Sequence, residues 1–171
     1  MQPYKNEILG LNHAAYRCRD AEETRKFYED VLGLRLSSCL WLTQSKTGRP
    51  LNALHLFFEL GDNSFVAFFD IPDECDEAMF ANRSDFDIHL ALGVKDVDTL
   101  LKYKERLVKA GYAVRGPSDH EFIQSIYVHD PNGYVCELTT KTDKYERIMG
   151  DHVKNAHSVL ADWHRTQHRA A

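Results

Sequence analysis

At 171 residues, with 43% apolar and 27% charged side chains, the chain can bury an ordinary core and shows no compositional mark of disorder or of a fibrous protein. Its formal net charge is −5 and its Lys and Arg residues are scattered, so it lacks the basic stripe that a phosphate backbone requires, and nucleic acid is excluded as a partner. No apolar run approaches the roughly 20 residues that span a bilayer, and the opening MQPYKNE has no signal-peptide core, which predicts no membrane partner and a cytoplasmic location.

Taken in chain order, segment 8–18 (ILGLNHAAYRC) reads as a strand. Asp20 then opens a helix through about Leu32, with Asp20 as N-cap, Glu23 three residues on as in a capping box, and Gly33 as its stop. Strands are predicted over Leu34–Thr43, Ala53–Leu60 and Ser64–Asp70, separated by the turn-formers Gly48-Arg49-Pro50 and Gly61-Asp62-Asn63. Residues 71–85 (IPDECDEAMFANRSD) are acidic and turn-rich, as suits a linker.

The same order returns in the second half: a strand over Phe86–Gly93, a helix from about Asp96 to Ala110, Gly111, then strands near Tyr112–Arg115, Phe122–His129 and Gly133–Thr140. Laying His89 over His13 places Asp96 over Asp20 and Tyr103 over Phe27 without a gap, the mark of an internal duplication. The expected fold class is α+β: two tandem βαβββ modules forming a curved mixed sheet around a metal-containing cavity. The domain is expected over 1–140, with module one at about 8–70 and module two at about 86–140. In the extension 141–171, Val153, Ala156, Val159, Leu160 and Trp163 recur at helical spacing, which predicts an amphipathic helix packed on this domain or on a second subunit. His152, His157, His164 and His168 of that segment are expected on its solvent side, and His129 on the surface beside a turn. Four well-spaced cysteines, Cys18, Cys39, Cys75 and Cys136, with no C-x-x-C pair, predict reduced and mostly buried thiols.

Because side chains alternate along a strand, each strand yields two faces. Phe86, Ile88, Leu90 and Leu92 oppose Asp87, His89 and Ala91; Leu54, Leu56, Phe58 and Leu60 oppose His55, Phe57 and Glu59; Tyr134, Cys136 and Leu138 oppose Gly133, Val135, Glu137 and Thr139. Each strand therefore has an apolar back and a mixed front. Histidines and a carboxylate on those fronts would need hydrogen bonds or a cation, since an unpaired buried carboxylate costs several kcal/mol.

These residues resemble the vicinal-oxygen-chelate superfamily, which includes glyoxalase I, fosfomycin-resistance proteins, bleomycin-binding proteins and type I extradiol dioxygenases. The resemblance covers residues 8–140. It implies one metal ligand from the first and one from the last strand of each module, at His13 and Phe68, then His89 and Glu137. The Phe68 position follows from laying Asn63–Phe68 over Asn132–Glu137. Phenylalanine cannot ligate, so the implied site is His13, His89 and Glu137, without the fourth protein ligand of glyoxalase I.

Two histidines and one carboxylate leave adjacent coordination positions open and suit Fe(II), with Mn(II) or another divalent metal as alternatives. The stretch 118–137, SDHEFIQSIYVHDPNGYVCE, further resembles the extradiol signature, carried by His120, Ile126, Tyr127, Asp130, Pro131, Gly133 and Glu137; Ser118 departs from it. Asp130-Pro131-Asn132-Gly133 is also a favourable hairpin turn in its own right.

The resemblance implies His55 as acid–base catalyst, Tyr127 as hydrogen-bond donor to substrate and His120 as its supporting partner. A small aromatic diol and O₂ are then the expected substrates of a ring-cleaving dioxygenase, and a homodimer is expected. Cavity walls are expected from Phe57, Val135, the loop around Gln44–Pro50 and the C-terminal helix. A metal-dependent isomerase, epimerase or thiol transferase of the glyoxalase or fosfomycin-resistance type, and a non-catalytic ligand-sequestering protein, stand as alternatives.

Overall fold

Asp20 and Asp96 each end an extended segment and turn the chain into a helix in the same way. The Asp20 carboxylate accepts from the Glu23 backbone N–H at 2.7 Å, and the Asp96 carboxylate from that of Thr99 at 2.8 Å. Each satisfies an otherwise orphaned amide, a cap worth about 1 kcal/mol. The computed structural model describes residues 7–81 and 83–167. In chain order the elements are β1 (His13–Cys18), α1 (Ala21–Arg25) continuing as a π-helical turn (Lys26–Val31), β2 (Arg35–Gln44), β3 (Pro50–Glu59) and β4 (Phe65–Asp70). After two short 3₁₀ turns follow β5 (His89–Gly93), α2 (Val97–Lys109), β6 (Arg115–Asp119), β7 (Ile123–His129), β8 (Val135–Lys141) and α3 (Tyr145–Gln167).

Two βαβββ modules are thus present, as the repeat predicts. Strand pairing runs within each module and gives two mixed four-stranded sheets, β1-β4-β3-β2 and β5-β8-β7-β6. In each, the first and last strands of the module pair in parallel and the remaining neighbours pair antiparallel.

Several predicted boundaries move, the strand expected from residue 8 beginning only at His13. The strand read from Phe86 begins only at His89, because the Asp87 N–H donates to the Ser84 carbonyl at 3.0 Å while the Asp87 carboxylate accepts from the Ser84 N–H. That local turn leaves Phe86 92% exposed, off the apolar face expected of it. The strand read at Tyr112–Arg115 lies instead at Arg115–Asp119. The linker is pinned down: Phe80 is buried against Tyr134, and the Arg17 guanidinium donates to the carbonyls of Ile71 and Glu74.

The apolar backs of both sheets meet the helices in one continuous core that includes Phe27, Tyr28, Phe58 and Phe68 of module one and Leu100, Leu107, Ile126, Cys136 and Leu138 of module two. Its centre holds a polar junction. The buried Asp130 carboxylate accepts from the Tyr28 hydroxyl at 3.0 Å, from the Asn132 side chain at 3.0 Å and from the backbone N–H groups of Asn132 and Tyr134 at 2.9 Å each. Asn132 in turn accepts from the Arg19 N–H at 2.8 Å, and the Tyr134 hydroxyl donates to the Arg17 carbonyl at 2.7 Å. The Asp-Pro-Asn-Gly turn therefore ties the modules together as well as closing a hairpin. Cys18 and Cys136 are buried as expected, whereas Cys39 and Cys75 are exposed.

Candidate metal centre

With the backs committed to the core, the site must be built on the fronts. In module one the front of β1, β4 and β3 carries His13, Phe65, Ala67, Phe69, Phe57 and His55, as the pairings His13↔Phe65, Phe57↔Ala67 and His55↔Phe69 define. In module two the same positions carry His89, Val135, Glu137, Thr139, Tyr127 and Ser125.

Register corrects one sequence-based equivalence. Ala15 pairs with Ala67 as Ala91 pairs with Glu137, so the module-one counterpart of Glu137 is Ala67. Phe68 is fully buried on the opposite face, packed on Tyr28 at 4.8 Å between ring centroids. The overlay misses this because it lays Asn63 on Asn132, one residue out of step: the two hairpin turns are equally long, Glu59↔Phe65 matching His129↔Val135, and the positive-φ Asn63 corresponds to Gly133. Alanine ligates no better than phenylalanine, so a fourth protein ligand is still missing.

The two fronts differ in chemistry. In module two, His89 Nε2–H donates to Glu137 Oε2 at 2.6 Å, and Glu137 is only 7% exposed. Tyr127 lies beside them, its ring 6.1 Å from that of His89, and its hydroxyl shares a hydrogen bond of 2.7 Å with His120 Nε2. Burial, foremost, and the nearby Glu137 carboxylate push the Tyr127 hydroxyl above the ordinary phenol value, so it stays a proton donor at neutral pH.

A cavity of ≈ 380 Å³ opens here, lined by His89, Tyr127, His120, Val135, Phe86 and Arg115 among others. Of these, Arg115 was missed from sequence; it is paired with Asp85 at 2.8 Å, and Asp85 also accepts from His129 at 3.0 Å. The bulge between Arg115 and Ser118 shapes this wall. It depends on Gly116, which has φ of +95° and where a Cβ would lie 2.6 Å from the Ser125 carbonyl oxygen.

In module one, His55 is stacked on Phe69 at 3.7 Å and lies 4.1 Å from Phe57, with the His13 ring 6.3 Å away. Phe69 could have been found by applying strand parity to Phe65–Asp70. His55 is 8% exposed and its Nε2 is buried with no hydrogen-bond partner among the described residues. Burial, and then the neighbouring His13, hold its pKa below the usual imidazole value, so it is neutral near pH 7. His13 is exposed at the start of β1, its Nδ1 2.7 Å from the Asn12 side-chain oxygen.

The chain thus brings His89 to Glu137, and His13 to His55. Among the described residues no three His, Cys, Asp or Glu side chains lie close enough to hold a metal. The donor set nonetheless fits a divalent ion where it converges. Imidazole and carboxylate bonds of about 2.0–2.2 Å keep two donor atoms about 3 Å apart, a few tenths of an ångström beyond the direct hydrogen bond seen here. Of the other predicted positions, the loop at 44–50 instead places Arg49 on Glu74 at 2.6 Å. His129 is exposed as expected, and so are His152, His157 and His164; His168 lies outside the described residues.

Comparison with known proteins bears on what such fronts are used for. The chain is 30% identical over 138 residues to a Synechocystis sp. protein named "Probable lactoylglutathione lyase", which covers 78% of this chain and 97% of that protein. The crystal structure of the fosfomycin resistance protein FosX from Mesorhizobium loti is similar over 83% of this chain and 98% of that one, with 30% identity and a TM-score of 0.58. The trypanothione-dependent glyoxalase I of Leishmania major shares the fold at 17% identity and a TM-score of 0.62, over 86% of this chain and 97% of its own. The Glyoxalase/Bleomycin resistance protein/Dioxygenase superfamily model matches residues 10–138, nearly the whole of both modules, and the chain belongs to that superfamily.

Proposed function

We propose that the protein is a metal-dependent enzyme of the glyoxalase or fosfomycin-resistance type, in which His89 and Glu137 of one chain and His13 of a second copy hold one divalent metal. The observation that carries this reading is the 2.6 Å convergence of His89 and Glu137 beside the ≈ 380 Å³ cavity, with His13 on a separate front. The curated relative and the FosX structure, each at 30% identity over nearly their full length, favour this chemistry over ring cleavage. Ala67 in place of a fourth ligand favours a three-ligand site over that of glyoxalase I.

A divalent ion bound there would supply Lewis-acid polarisation of a substrate oxygen. The chain's own groups do the rest. His55, neutral and with an unsatisfied buried Nε2, accepts a proton from the substrate carbon or nucleophile. Tyr127, held by His120, donates a hydrogen bond to a substrate oxygen. Phe57, Phe69 and Val135 keep bulk water from the reacting atoms.

The test is metal content and activity of the purified chain loaded with Mn²⁺, Ni²⁺ or Zn²⁺, with methylglyoxal plus glutathione and with fosfomycin with and without glutathione. Stoichiometric metal and turnover that persists without O₂ are expected; a chain that binds none of these ions overturns the reading. Mixing His13→Ala with Glu137→Ala chains tests the sharing, because random pairing rebuilds about one quarter of the sites.

A second reading, the extradiol dioxygenase, is favoured by one observation, the 2.7 Å His120–Tyr127 pair within the signature-like stretch. Oxygen uptake by Fe(II)-loaded protein with catechol, 3-methylcatechol or 2,3-dihydroxybiphenyl would select it, and no uptake with any of them removes it.

A further inference from the structure

The superfamily model matches residues 10–138, and α3 lies beyond that match. Its root is seated: Tyr145 packs on Phe122 at 6.1 Å between ring centroids, Lys141 lies 4.0 Å over the Tyr145 ring, and Phe122 meets His152 at 5.6 Å. From Gly150 to Gln167 every residue is exposed. Val153 is 72%, Val159 63%, Leu160 65% and Trp163 64% exposed, and together with Ala156 they form a single stripe. About five turns of helix with an apolar stripe in water are marginal on their own, since most helical stability comes from covering such a face.

We propose that α3 pairs antiparallel with α3 of a second copy of this chain, crossing at Ala156. Three features select that occupant. First, the stripe is largely self-complementary about Ala156: Val153 three residues before it meets Val159 three residues after it, Met149, half-buried at the root, meets Trp163, and Leu160 meets His152, each pairing made twice. Alanine at the crossing lets the two backbones approach closely.

Second, the described helix carries Arg147, Lys154 and Arg165 against Glu146, Asp151 and Asp162. Such a balance does not repel its own copy and offers no basic face to an anionic membrane. Third, the proposed site already calls for a second copy, and the pairing rests on that reading only for this third feature.

Magnitude decides what the pairing does. About five side chains from each copy cannot supply the roughly 1,200–2,000 Å² of a stable interface, so α3 acts as a clamp added to a module interface and raises the effective concentration of the second copy. Its substrate-facing consequence is that the His13 of one chain is held near the His89–Glu137 pair of the other.

The experiment uses the full chain with Cys39→Ser and Cys75→Ser, carrying Ala156→Cys, under mild oxidation, with Ser158→Cys on the outer face as control. A disulfide-linked dimer for Ala156→Cys and none for Ser158→Cys is expected. Mixed Met149→Cys and Trp163→Cys chains should cross-link to each other but not to themselves. Val153→Glu with Val159→Glu should weaken dimerisation by about tenfold or more in sedimentation.

No cross-link at position 156 overturns the clamp, as does self-linking of Met149→Cys, which marks a parallel pair, or binding of the chain to phosphatidylglycerol vesicles through α3. Metal content of the same samples separates the two claims. A metal-loaded dimer without the cross-link sinks the clamp alone, and a cross-linked dimer without metal sinks the shared site alone.

Discussion

The two modules have one backbone plan and opposite fronts. Where module one places Phe65, Ala67, Phe69, Phe57 and His55 around His13, module two places Val135, Glu137, Thr139, Tyr127 and Ser125 around His89. Module one is an aromatic cup around a neutral imidazole; module two is a polar cleft with a carboxylate. Duplication preserved the capping aspartates, the parallel first-to-last strand pairing and the glycines that end the helices. The fronts diverged freely because nothing in the core depends on them. A metal centre and an apolar wall can then come from the same unit, provided that the two fronts are brought face to face.

The largest expected effect comes from erasing what makes module two different. Glu137→Ala should abolish stoichiometric metal binding and lower turnover by about 10³-fold or more, because it removes both a ligand and the carboxylate that orients His89; metal analysis and steady-state kinetics check this. His89→Ala should do the same.

The converse change gives module one a carboxylate. Ala67→Glu buries an acid at a position with no exposure, so without metal it should lower stability by several kcal/mol. Added divalent metal should recover part of that loss, read as a metal-dependent rise in Tm that the original chain does not match.

Breaking the joint between the modules comes next. Asp130→Ala leaves the Tyr28 hydroxyl, the Asn132 side chain and two backbone N–H groups without their buried acceptor, and should cost about 3 kcal/mol in chemical denaturation. Burial raises the Asp130 pKa above the ordinary carboxyl value. The protonated form therefore favours the folded state, and the stability owed to that proton is full below the ordinary Asp value and is lost as pH rises through the raised one. Asp130→Asn should flatten that part of the stability–pH curve.

Tyr127→Phe removes one hydrogen-bond donor and should lower kcat by about 10- to 100-fold with metal content unchanged. His120→Ala acts through Tyr127 and should cost less.

The smallest effect concerns His55. Its pKa is depressed, by burial first and by His13 second, so its neutral form contributes stability that is present above the ordinary imidazole value and is lost as pH falls through the lowered one. His55→Gln should reduce the acid sensitivity of Tm in that window, by a few degrees at most.

Much of this was legible in the residues. Periodicity and turn chemistry gave the β-α-β-β-β order twice, Asp20 and Asp96 gave the helix starts, and strand parity put His55, His89 and Glu137 on the fronts, while His13 followed from the repeat and Tyr127 from the family resemblance. Local rules sufficed there because each rests on a few neighbouring residues. Parity failed at Phe86, where the hydrogen bonds between Ser84 and Asp87 compete with the sheet ladder. Overlay failed at Phe68, since a match set one residue out of step reverses the face of everything after it.

By itself, then, the sequence determined for most strand residues whether they belong to the backs or to the fronts, because burial of apolar surface follows the period of the strand. Only the tertiary structure decided which front residues meet. His89 reaches Glu137 through the parallel pairing of β5 with β8, a contact between distant segments that no local pattern encodes. His13 is kept to its own module's front because the backs of both modules are drawn into one core. The direction in which two packed sheets face is set by the sum of many apolar contacts, and no single motif carries it.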